Sequence, residues 1–375
     1  MSPSHRAQTY ATAAGLEVNP ISGAIGAEIR NVDLASKLSP EATTAIRKAL
    51  LDHQVIFFRD QSLTPGSYLD FTTHFGKPIE YPFVKGLDGH KEIINVLKKE
   101  NETTNFGGIW HSDTTYFEQP PMGSVLLALE VPPYGGDTLF ANQYLAYEAL
   151  SPGLKETLLT LKGVSTSAKA DVSKTREDRI KDSGHKSETL EAVHPAVRTH
   201  PETGRKSLYV NPAHTSHFEG WTEAESAPLL QFLFQHQIKP EFTCRFRWDV
   251  GSIAFWDNRC AMHNPINGKS ASLHVQCSVL TVAPRLPWLS PEHVACNAGR
   301  RSSPVGSSYS HDPQLCLLAR SSNRRQDHAQ QSLMVLGVGS SGYMLTVQSL
   351  FRMGTLPYGM DPASPVPSRP APSNS

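Results

Sequence analysis

The chain has 375 residues, of which 39% are hydrophobic and 8% aromatic, so it can bury a substantial core. Its formal net charge is +0 at pH 7, which argues against a nucleic-acid partner or binding to an anionic membrane surface. The five cysteines form no Cys-x-x-Cys pair, so we expect no disulfide framework and a reducing, cytoplasmic setting. We identify no amino-terminal signal peptide and no run apolar enough to span a bilayer.

The first third of the chain predicts helices that alternate with short buried strands. Residues 1–14 are small and polar, and we expect them to be disordered. Ser39-Pro40 is typical of a helix start, and helical periodicity follows it as far as Leu51. Thr64-Pro65 starts a second helix, which we expect to end near Phe75. Apolar runs predict buried strands at 55–58, 93–97 and 122–129.

The middle of the chain adds loops, a long helix and an alternating strand. Residues 100–108 are polar and contain glycine, which predicts a mobile loop, and the charged segment 168–190 predicts a flexible lid. Residues 222–238 form the best amphipathic helix. We assign five residues to its core face: Leu229, Leu230, Phe232, Leu233 and Ile238. Residues 242–248 alternate apolar and polar, which predicts a half-buried strand. Short strands with few helices favour a mainly β fold with a jelly-roll core.

The segment Trp110-His111-Ser112-Asp113 carries the pattern that says most about chemistry. In an extended segment, residues two apart point to one face, so the imidazole of His111 and the carboxylate of Asp113 would aim at one point. Two histidines and one carboxylate form the facial triad that holds non-haem Fe(II) in oxygenases, and His263 is our candidate for the third ligand. The spacing alone is weak evidence, because His-x-Glu pairs also occur at 90/92, 200/202 and 217/219.

Other segments occur with this motif in a recognisable order: His53–Gln61, Gly135–Phe140, His194–Pro201, and Trp256–Arg259 ahead of His263. Together they resemble the taurine dioxygenase/TfdA-type family of Fe(II)- and 2-oxoglutarate-dependent dioxygenases, from about Gly15 to His263. The resemblance implies a double-stranded β-helix and an oxidoreductase. It also implies that His111, Asp113 and His263 hold Fe(II), and that Thr138 hydrogen-bonds a carboxylate of 2-oxoglutarate.

The resemblance further implies a reaction and a pocket. With 2-oxoglutarate and O2 as co-substrates, such an enzyme hydroxylates a small molecule and releases succinate and CO2. Four residues match positions that line the substrate pocket: Tyr81, Thr114, Tyr116 and Tyr209. Tyr81 stands where the taurine enzymes have a sulfonate-binding histidine, and an aromatic pocket favours a larger or less polar substrate. We therefore expect a small sulfonate- or carboxylate-like substrate and do not assign taurine as that substrate. We expect no nucleic-acid or membrane partner, and we leave homo-oligomerisation open.

The stretch after His263 departs from the family pattern. The family carries an arginine on the following strand, which pairs bidentately with the distal carboxylate of 2-oxoglutarate, whereas no arginine follows His263 here before Arg285. Lys269 carries a positive charge, but it lacks the planar guanidinium group with which arginine pairs bidentately with a carboxylate. The rival hypothesis is therefore a catalytically impaired relative that binds metal and holds 2-oxoglutarate poorly. A third possibility is a cupin-like fold without metal.

The composition also changes after this point. We place the dioxygenase domain at 15–287, and we expect a low-complexity, disordered or non-native tail at 288–375, where Ser, Pro, Arg and Gly dominate. Gly268-Lys269-Ser270 can be encoded by codons that contain the splice donor GTAAGT, and Leu280-Thr281 by a branch-point core. We therefore hypothesise that the chain is a gene model that retains an intron. Transcript reads that cross Asn267 without a splice junction would contradict this hypothesis.

Overall fold

The computed structural model describes residues 9–98, 107–169, 189–266 and 273–281. Four sequence predictions fall wholly or mostly outside the described residues. They are the lid at 168–190, the loop at 100–108, the domain boundary at 287 and the tail at 288–375. Within the described part, no helix is long and apolar enough to cross a membrane.

The described elements follow the expected mainly β pattern. The strands in chain order are β1 Tyr10–Ala11, β2 Glu17–Pro20, β3 Ala27–Arg30, β4 Val55–Phe58, β5 Lys77–Ile79, β6 Ile94–Lys98, β7 Gly123–Glu130, β8 Thr138–Asn142, β9 Lys162–Thr166, β10 Glu191–Pro195, β11 Val197–Thr199, β12 Lys206–Leu208, β13 Thr215–Phe218, β14 Thr243–Phe246, β15 Ile253–Asp257, β16 Ala261–Pro265 and β17 Leu273–Thr281. The α-helices are α1 Pro40–His53, α2 Pro65–Thr73, α3 Gln143–Glu148, α4 Pro152–Leu159 and α5 Glu223–Gln237.

Local sequence signals explain where the longer helices begin. The Ser39 side chain accepts a hydrogen bond from the backbone N–H of Ala42 at the start of α1, as the Ser-Pro pattern predicts. Thr64 and Ser67 form a capping box at the start of α2. α1 ends where Gln54 adopts a left-handed conformation with φ of 62°. The predicted disordered amino terminus includes Tyr10–Ala11, which instead form β1 and pair with β2 through backbone hydrogen bonds.

Two facing sheets form the jelly-roll core. The larger sheet has the order β1-β2-β3-β4-β15-β7-β17-β5, with β6 also paired to β17, and the smaller sheet has the order β14-β8-β16. The interior cluster between them draws Phe57, Ala254 and Trp256 from the larger sheet, and Phe140 and Phe246 from the smaller one. Burial of this apolar surface on both sides drives the two layers together.

The outer face of the larger sheet is covered by α1 and α2. Ile46 of α1 and Phe71 of α2 are buried there against Ile253 and Phe255. The residues of β15 therefore alternate between two cores, because neighbouring strand residues point to opposite faces. This double coverage explains why every residue of β15 is buried and why its first four residues, 253–256, are a continuous apolar run.

Helix α5 packs on a third cluster, and here one sequence prediction is wrong. Leu230 and Leu233 are buried as expected, but Phe232 is 50% exposed. The buried positions follow a stripe through Ser226, Leu230, Leu233 and Gln237, and Phe232 falls outside this helical period.

The turn between β15 and β16 carries a buried network of charges. Arg259 donates to both oxygens of Asp257, at 2.8 Å from Nε and 2.6 Å from Nη2. His200 Nε2 lies 3.0 Å from Asp257 Oδ2, and Arg259 Nη1 lies 2.9 Å from Glu202 Oε1. Arg47 also pairs with Glu202, at 2.7 Å. Burial alone would raise the pKa of Asp257, but Arg259 and His200 hold that pKa well below its usual range.

Removal of the Asp257 carboxylate should destabilise the fold. We expect Asp257→Ala to lower the free energy of unfolding at pH 7 by about 3–5 kcal/mol, because Arg259 loses its bidentate partner in a buried site. Because the pKa of Asp257 is depressed in the folded protein, this stability is present above the ordinary aspartate pKa and is lost as the pH falls below it. Denaturant unfolding of both proteins as a function of pH measures the difference.

Asp52→Ala is the matched control. Asp52 pairs with Lys48 on the exposed surface of α1, and loss of such a pair should cost no more than about 0.5 kcal/mol. If Asp257→Ala costs as little as Asp52→Ala, the buried network does not stabilise the turn.

Candidate metal site

A β-bridge outside the longer strands brings two histidines together. His111 donates its backbone N–H to His263 O at 3.0 Å, and His263 donates its own to His111 O at 2.8 Å. Directly opposed residues of an antiparallel pair carry their side chains on the same face. The two imidazole rings consequently lie side by side, with centroids 4.1 Å apart.

Asp113 completes a compact set of three possible ligands. Its Oδ1 lies 3.4 Å from His111 Nε2 and 3.9 Å from His263 Nε2. One ligand atom from each of the three side chains lies within 4.8 Å of the others. The structure thus brings together the three residues that the sequence suggested as metal ligands.

Hydrogen bonds orient two of these side chains. His111 Nδ1 lies 2.6 Å from the carbonyl oxygen of Ile109, which can only accept, so Nδ1 carries the proton and Nε2 presents its lone pair. Ser124 Oγ donates to Asp113 Oδ2 at 2.6 Å, which leaves Oδ1 directed at the imidazoles. Such outer hydrogen bonds fix the orientation of metal ligands in proteins.

The side-chain amide of Asn258 supports this arrangement through hydrogen bonds. Its Oδ1 accepts hydrogen bonds from the Asp113 backbone N–H at 3.2 Å and from Trp256 Nε1 at 2.9 Å. Its Nδ2 donates to Ser124 Oγ at 2.9 Å, so one amide positions both the backbone of Asp113 and the hydroxyl that holds its carboxylate. Sequence reasoning missed Ser124, although a serine within the apolar run 122–129 was a signal that a polar group is needed there.

The electrostatics leave Asp113 and His263 in their metal-binding protonation states. Burial alone would raise the pKa of Asp113, but the imidazoles of His263 and His111 outweigh it and hold that pKa well below the usual range. Burial and the neighbouring His111 lower the pKa of His263 to about 3. At neutral pH the carboxyl is therefore ionised and His263 is neutral, as metal coordination requires.

Two further observations test whether these residues fit a metal ion. His263 Nδ1 is buried and has no hydrogen-bond partner among the described residues, which is unusual for a buried polar ring. Gly107 has a φ of +70°, and a Cβ placed there would lie 3.0 Å from His111 Cε1 and 3.3 Å from its Nε2. The space beside His111 is therefore kept open by a glycine. Two imidazoles and one carboxylate are the donor set of non-haem Fe(II), and the site fits that ion.

Thr138 lies close to this cluster at the start of β8. It is buried, and it stands two residues from Phe140, which is paired with His263 across the smaller sheet. Trp248 Nε1 donates to Thr138 Oγ1 at 3.0 Å. The threonine hydroxyl keeps its own proton for a second acceptor, such as a carboxylate oxygen.

Three of the four predicted pocket residues lie near the histidines. Tyr81 and Tyr116 join through their hydroxyl oxygens at 3.2 Å, and the Tyr116 ring packs edge-on against Phe83. Thr114 follows Asp113 directly, has a φ of 49°, and its buried Oγ1 has no hydrogen-bond partner among the described residues. Tyr209 instead packs on His194 and lies under the guanidinium of Arg198, with 4.7 Å from Arg198 Cζ to the ring centroid.

His214 is a neighbour that the sequence did not suggest. Its ring packs edge-on against His111 at 6.1 Å and against Tyr116 at 5.0 Å. It therefore links the metal cluster to the aromatic pocket. No local pattern around His214 indicated this position, because the contact depends on the loop that precedes β13.

A second group of potential ligands, His200, Asp257 and Cys260, does not suit a metal. Both Asp257 oxygens accept hydrogen bonds from Arg259, whose charge repels a cation. His200 Nδ1 accepts from the backbone N–H groups of Glu202 and Thr203, and burial raises the pKa of the Cys260 thiol well above its usual value. The three groups are therefore committed to the charge network of the turn.

Comparisons with known proteins agree with this geometry. The family model described as taurine catabolism dioxygenase TauD, TfdA family, matches residues 17–266. An alpha-ketoglutarate-dependent sulfate ester dioxygenase of Pseudomonas putida is 34% identical over 259 residues, which cover 67% of this chain and 84% of that protein. An alpha-ketoglutarate-dependent 2,4-dichlorophenoxyacetate dioxygenase of Cupriavidus pinatubonensis is 32% identical over 269 residues, which cover 65% of this chain and 90% of that protein.

A solved structure supports the same relationship. The crystal structure of a taurine dioxygenase from Burkholderia xenovorans matches with a TM-score of 0.62 and 36% identity, covering 72% of this chain and 90% of that one. The predicted mainly β fold with a jelly-roll core is confirmed.

The hydrogen bond from Ser124 should matter for metal affinity. We expect Ser124→Ala to weaken binding of Fe(II), or of Mn(II) as a redox-stable probe, by about 10- to 100-fold, because Asp113 Oδ2 loses its donor. Ser112→Ala is the matched control, since the Ser112 hydroxyl donates at 2.8 Å to the backbone carbonyl of Ala261 and not to a ligand. Equal losses in the two variants, measured by anaerobic titration calorimetry, would contradict the role of Ser124.

Proposed function

This chain belongs to the TauD/TfdA family of 2-oxoglutarate-dependent dioxygenases, and we propose that His111, Asp113 and His263 are its Fe(II) ligands. One observation carries the proposal: one ligand atom from each of these side chains lies within 4.8 Å of the others, in a pocket where the carboxyl is ionised and His263 is neutral. We also propose that the dioxygenase domain spans 15–287. Cytoplasmic location stays a prediction.

Each residue of the proposed site has a distinct role in binding or orienting the metal and 2-oxoglutarate. The chemistry that Fe(II) supplies when bound is the use of O2 to couple decarboxylation of 2-oxoglutarate, which yields succinate and CO2, to hydroxylation of a substrate C–H bond. One oxygen atom enters the new hydroxyl group and the other enters succinate. Ser124 holds the Asp113 carboxylate, Asn258 holds the Asp113 backbone N–H, and Ile109 O fixes the tautomer of His111. Thr138, whose Oγ1 accepts a hydrogen bond from Trp248 Nε1, would donate its hydroxyl proton to a carboxylate of bound 2-oxoglutarate.

The substrate that we propose is a small organic anion with an apolar body. The relatives are named for sulfate esters and for 2,4-dichlorophenoxyacetate, which combine an anionic group with an apolar part. In this chain Tyr81, Phe83 and Tyr116 pack edge to face beside the cluster and provide an apolar wall. Their two phenol groups and the buried Oγ1 of Thr114 provide hydrogen-bond donors for a sulfonate, sulfate or carboxylate.

One observation favours a second candidate function, a catalytically impaired relative that binds metal. The family match ends at residue 266, and no arginine occurs between His263 and Arg285. Loss of a charge-assisted pair to the distal carboxylate costs about 2–5 kcal/mol. A loss of that size would weaken the affinity for 2-oxoglutarate by roughly 30-fold to several thousand-fold. The intron hypothesis concerns the same stretch, much of which lies outside the described residues.

Turnover by the full chain tests the choice between the two functions. Purified protein with Fe(II), 2-oxoglutarate and a panel of alkyl sulfates, alkylsulfonates and phenoxyacetates should form one succinate per O2 consumed with its best substrate. Asp113→Ala should lower succinate formation to background, because the carboxylate ligand is lost. His74→Ala, at an exposed position at the end of α2, should retain wild-type turnover.

The outcomes separate the candidates. Succinate formation that depends on Asp113 supports the dioxygenase. Stoichiometric Fe(II) binding without succinate formation, at any co-substrate concentration up to saturation of the assay, supports the impaired relative. Absence of Fe(II) binding contradicts both.

A further inference from the structure

The segment that follows Asp113 forms a strained turn. Thr114 has a φ of 49°, in the left-handed region that β-branched residues rarely adopt. Phe117 donates its backbone N–H to Thr114 O at 3.0 Å, which closes the turn. A strained backbone of this kind persists only where the surrounding structure holds it, and such strain is frequent at ligand-binding sites. The turn therefore requires contacts from other parts of the chain.

Two side chains from a distant part of the sequence supply these contacts. Asn211 Nδ2 donates to Thr115 Oγ1 at 3.1 Å. His194 Nε2 donates to the carbonyl oxygen of Phe117 at 2.9 Å, since a carbonyl oxygen can only accept. Thr115 is 1% exposed and Asn211 is 2% exposed, so the hydrogen bond between them is shielded from water. The turn is thus attached to the segment 194–211 at its middle and at its end.

Asn211 also orders the loop that carries His214. Its Oδ1 accepts a hydrogen bond from the backbone N–H of His214 at 2.9 Å. The Asn211 backbone N–H donates to Thr215 Oγ1 at 3.0 Å, and its carbonyl oxygen accepts from the Thr215 backbone N–H at 3.0 Å. One buried amide therefore joins the loop before β13 to the turn after Asp113.

The two segments joined in this way form one wall beside the metal ligands. Tyr116, in the turn, and His214, in the loop, pack edge to face with their ring centroids 5.0 Å apart. The His214 ring also packs edge-on against His111, at 6.1 Å. A shift of the turn or of the loop would consequently move this wall relative to the metal ligands.

We propose that Asn211 is a positioning residue, which fixes the wall formed by Tyr116 and His214 so that the substrate lies in register with the metal. The inference rests on the proposed function, because it assigns a role within the same site. Asn211 acts through the Thr115 hydroxyl and the His214 backbone. Correct placement of the reacting C–H bond requires a pocket whose walls are held before the substrate arrives.

The metal ligand in this region is held by other groups. Ser124 donates to the carboxylate of Asp113, and Asn258 accepts from its backbone N–H. Loss of the Asn211 contact should therefore leave metal and 2-oxoglutarate binding largely intact and impair the use of substrate. A purely structural role for Asn211 predicts instead that all three ligands are affected alike.

Thr115 offers the most selective variants, because replacement of Asn211 would also release the His214 loop. Thr115→Val removes the hydroxyl and keeps the shape of the side chain, whereas Thr115→Ser keeps the hydroxyl. Thr72→Val is the matched control. Thr72 is also fully buried, and its hydroxyl donates within α2 to the carbonyl oxygen of Leu69 at 2.8 Å.

Amide hydrogen exchange of the full-length protein, followed by mass spectrometry, tests whether the bond holds the turn. We expect exchange in segment 114–117 to be about 10- to 100-fold faster in Thr115→Val than in wild type, because local opening no longer breaks a buried hydrogen bond. Thr115→Ser and Thr72→Val should match wild type in this segment within about threefold. The measurement requires neither metal nor turnover.

Turnover and ligand binding test whether the turn positions the substrate. With the best substrate of the panel, Thr115→Val should lower kcat/KM by about 10- to 100-fold and should form less than about half of the wild-type amount of hydroxylated product per succinate, because the C–H bond is misplaced. Its affinity for 2-oxoglutarate, measured anaerobically from the visible absorption of the iron chelate, should change less than about threefold. Thr115→Ser and Thr72→Val should retain wild-type values.

Three results would overturn the assignment. The first is unchanged exchange in Thr115→Val, and the second is faster exchange with unchanged kcat/KM and product yield. The third is a loss of 2-oxoglutarate affinity as large as the loss of kcat/KM. Failure of the proposed function looks different, because the wild type would then bind no Fe(II) or form no succinate. That result would remove the positioning role as well, while the exchange data would still show whether Asn211 holds the turn.

Discussion

The backbone bridge between His111 and His263 is the contact on which the site depends. It joins two distant parts of the chain at the edge of the smaller sheet, and it places two imidazoles side by side with their ring planes tilted by 47°. Asp113 reaches the same point because it follows His111 by two residues. A short segment without long strands of its own thus acquires a fixed geometry from its pairing with β16, which is itself held in the sheet by β8.

The surrounding fold keeps this geometry rigid. The turn after β15 carries Asn258, which holds Asp113, and Asp257, which anchors the buried charges of Arg259 and His200. The same few residues therefore serve both stability and the site. A metal site gains affinity when its ligands need no rearrangement on binding, and buried hydrogen bonds that fix them beforehand provide this preorganisation.

Sequence patterns predicted the parts of the structure that depend on local order. The Ser39-Pro40 start of α1 and the apolar run of β4 follow from neighbouring residues, and both are confirmed. The grouping of His111 and Asp113 required only their spacing, and His263 joined them through the family resemblance.

The site residues and burial positions that the sequence patterns did not predict depend on tertiary contacts. In the sequence, Ser124 is a single polar residue in an apolar strand, and His214 belongs to no recognisable motif. Only the tertiary fold shows that Ser124 contacts Asp113 and that His214 packs against His111. Phe232 was assigned to a core face because apolar residues crowd α5, whereas the buried stripe includes Ser226 and Gln237, whose side chains form buried hydrogen bonds.

The most direct test of the central claim is anomalous diffraction from anaerobic crystals of the full-length protein grown with Mn(II) as a redox-stable substitute for Fe(II). The account predicts one strong peak within bonding distance of His111, Asp113 and His263. A peak at the other group, His200, Asp257 and Cys260, or no peak at either place, would contradict it.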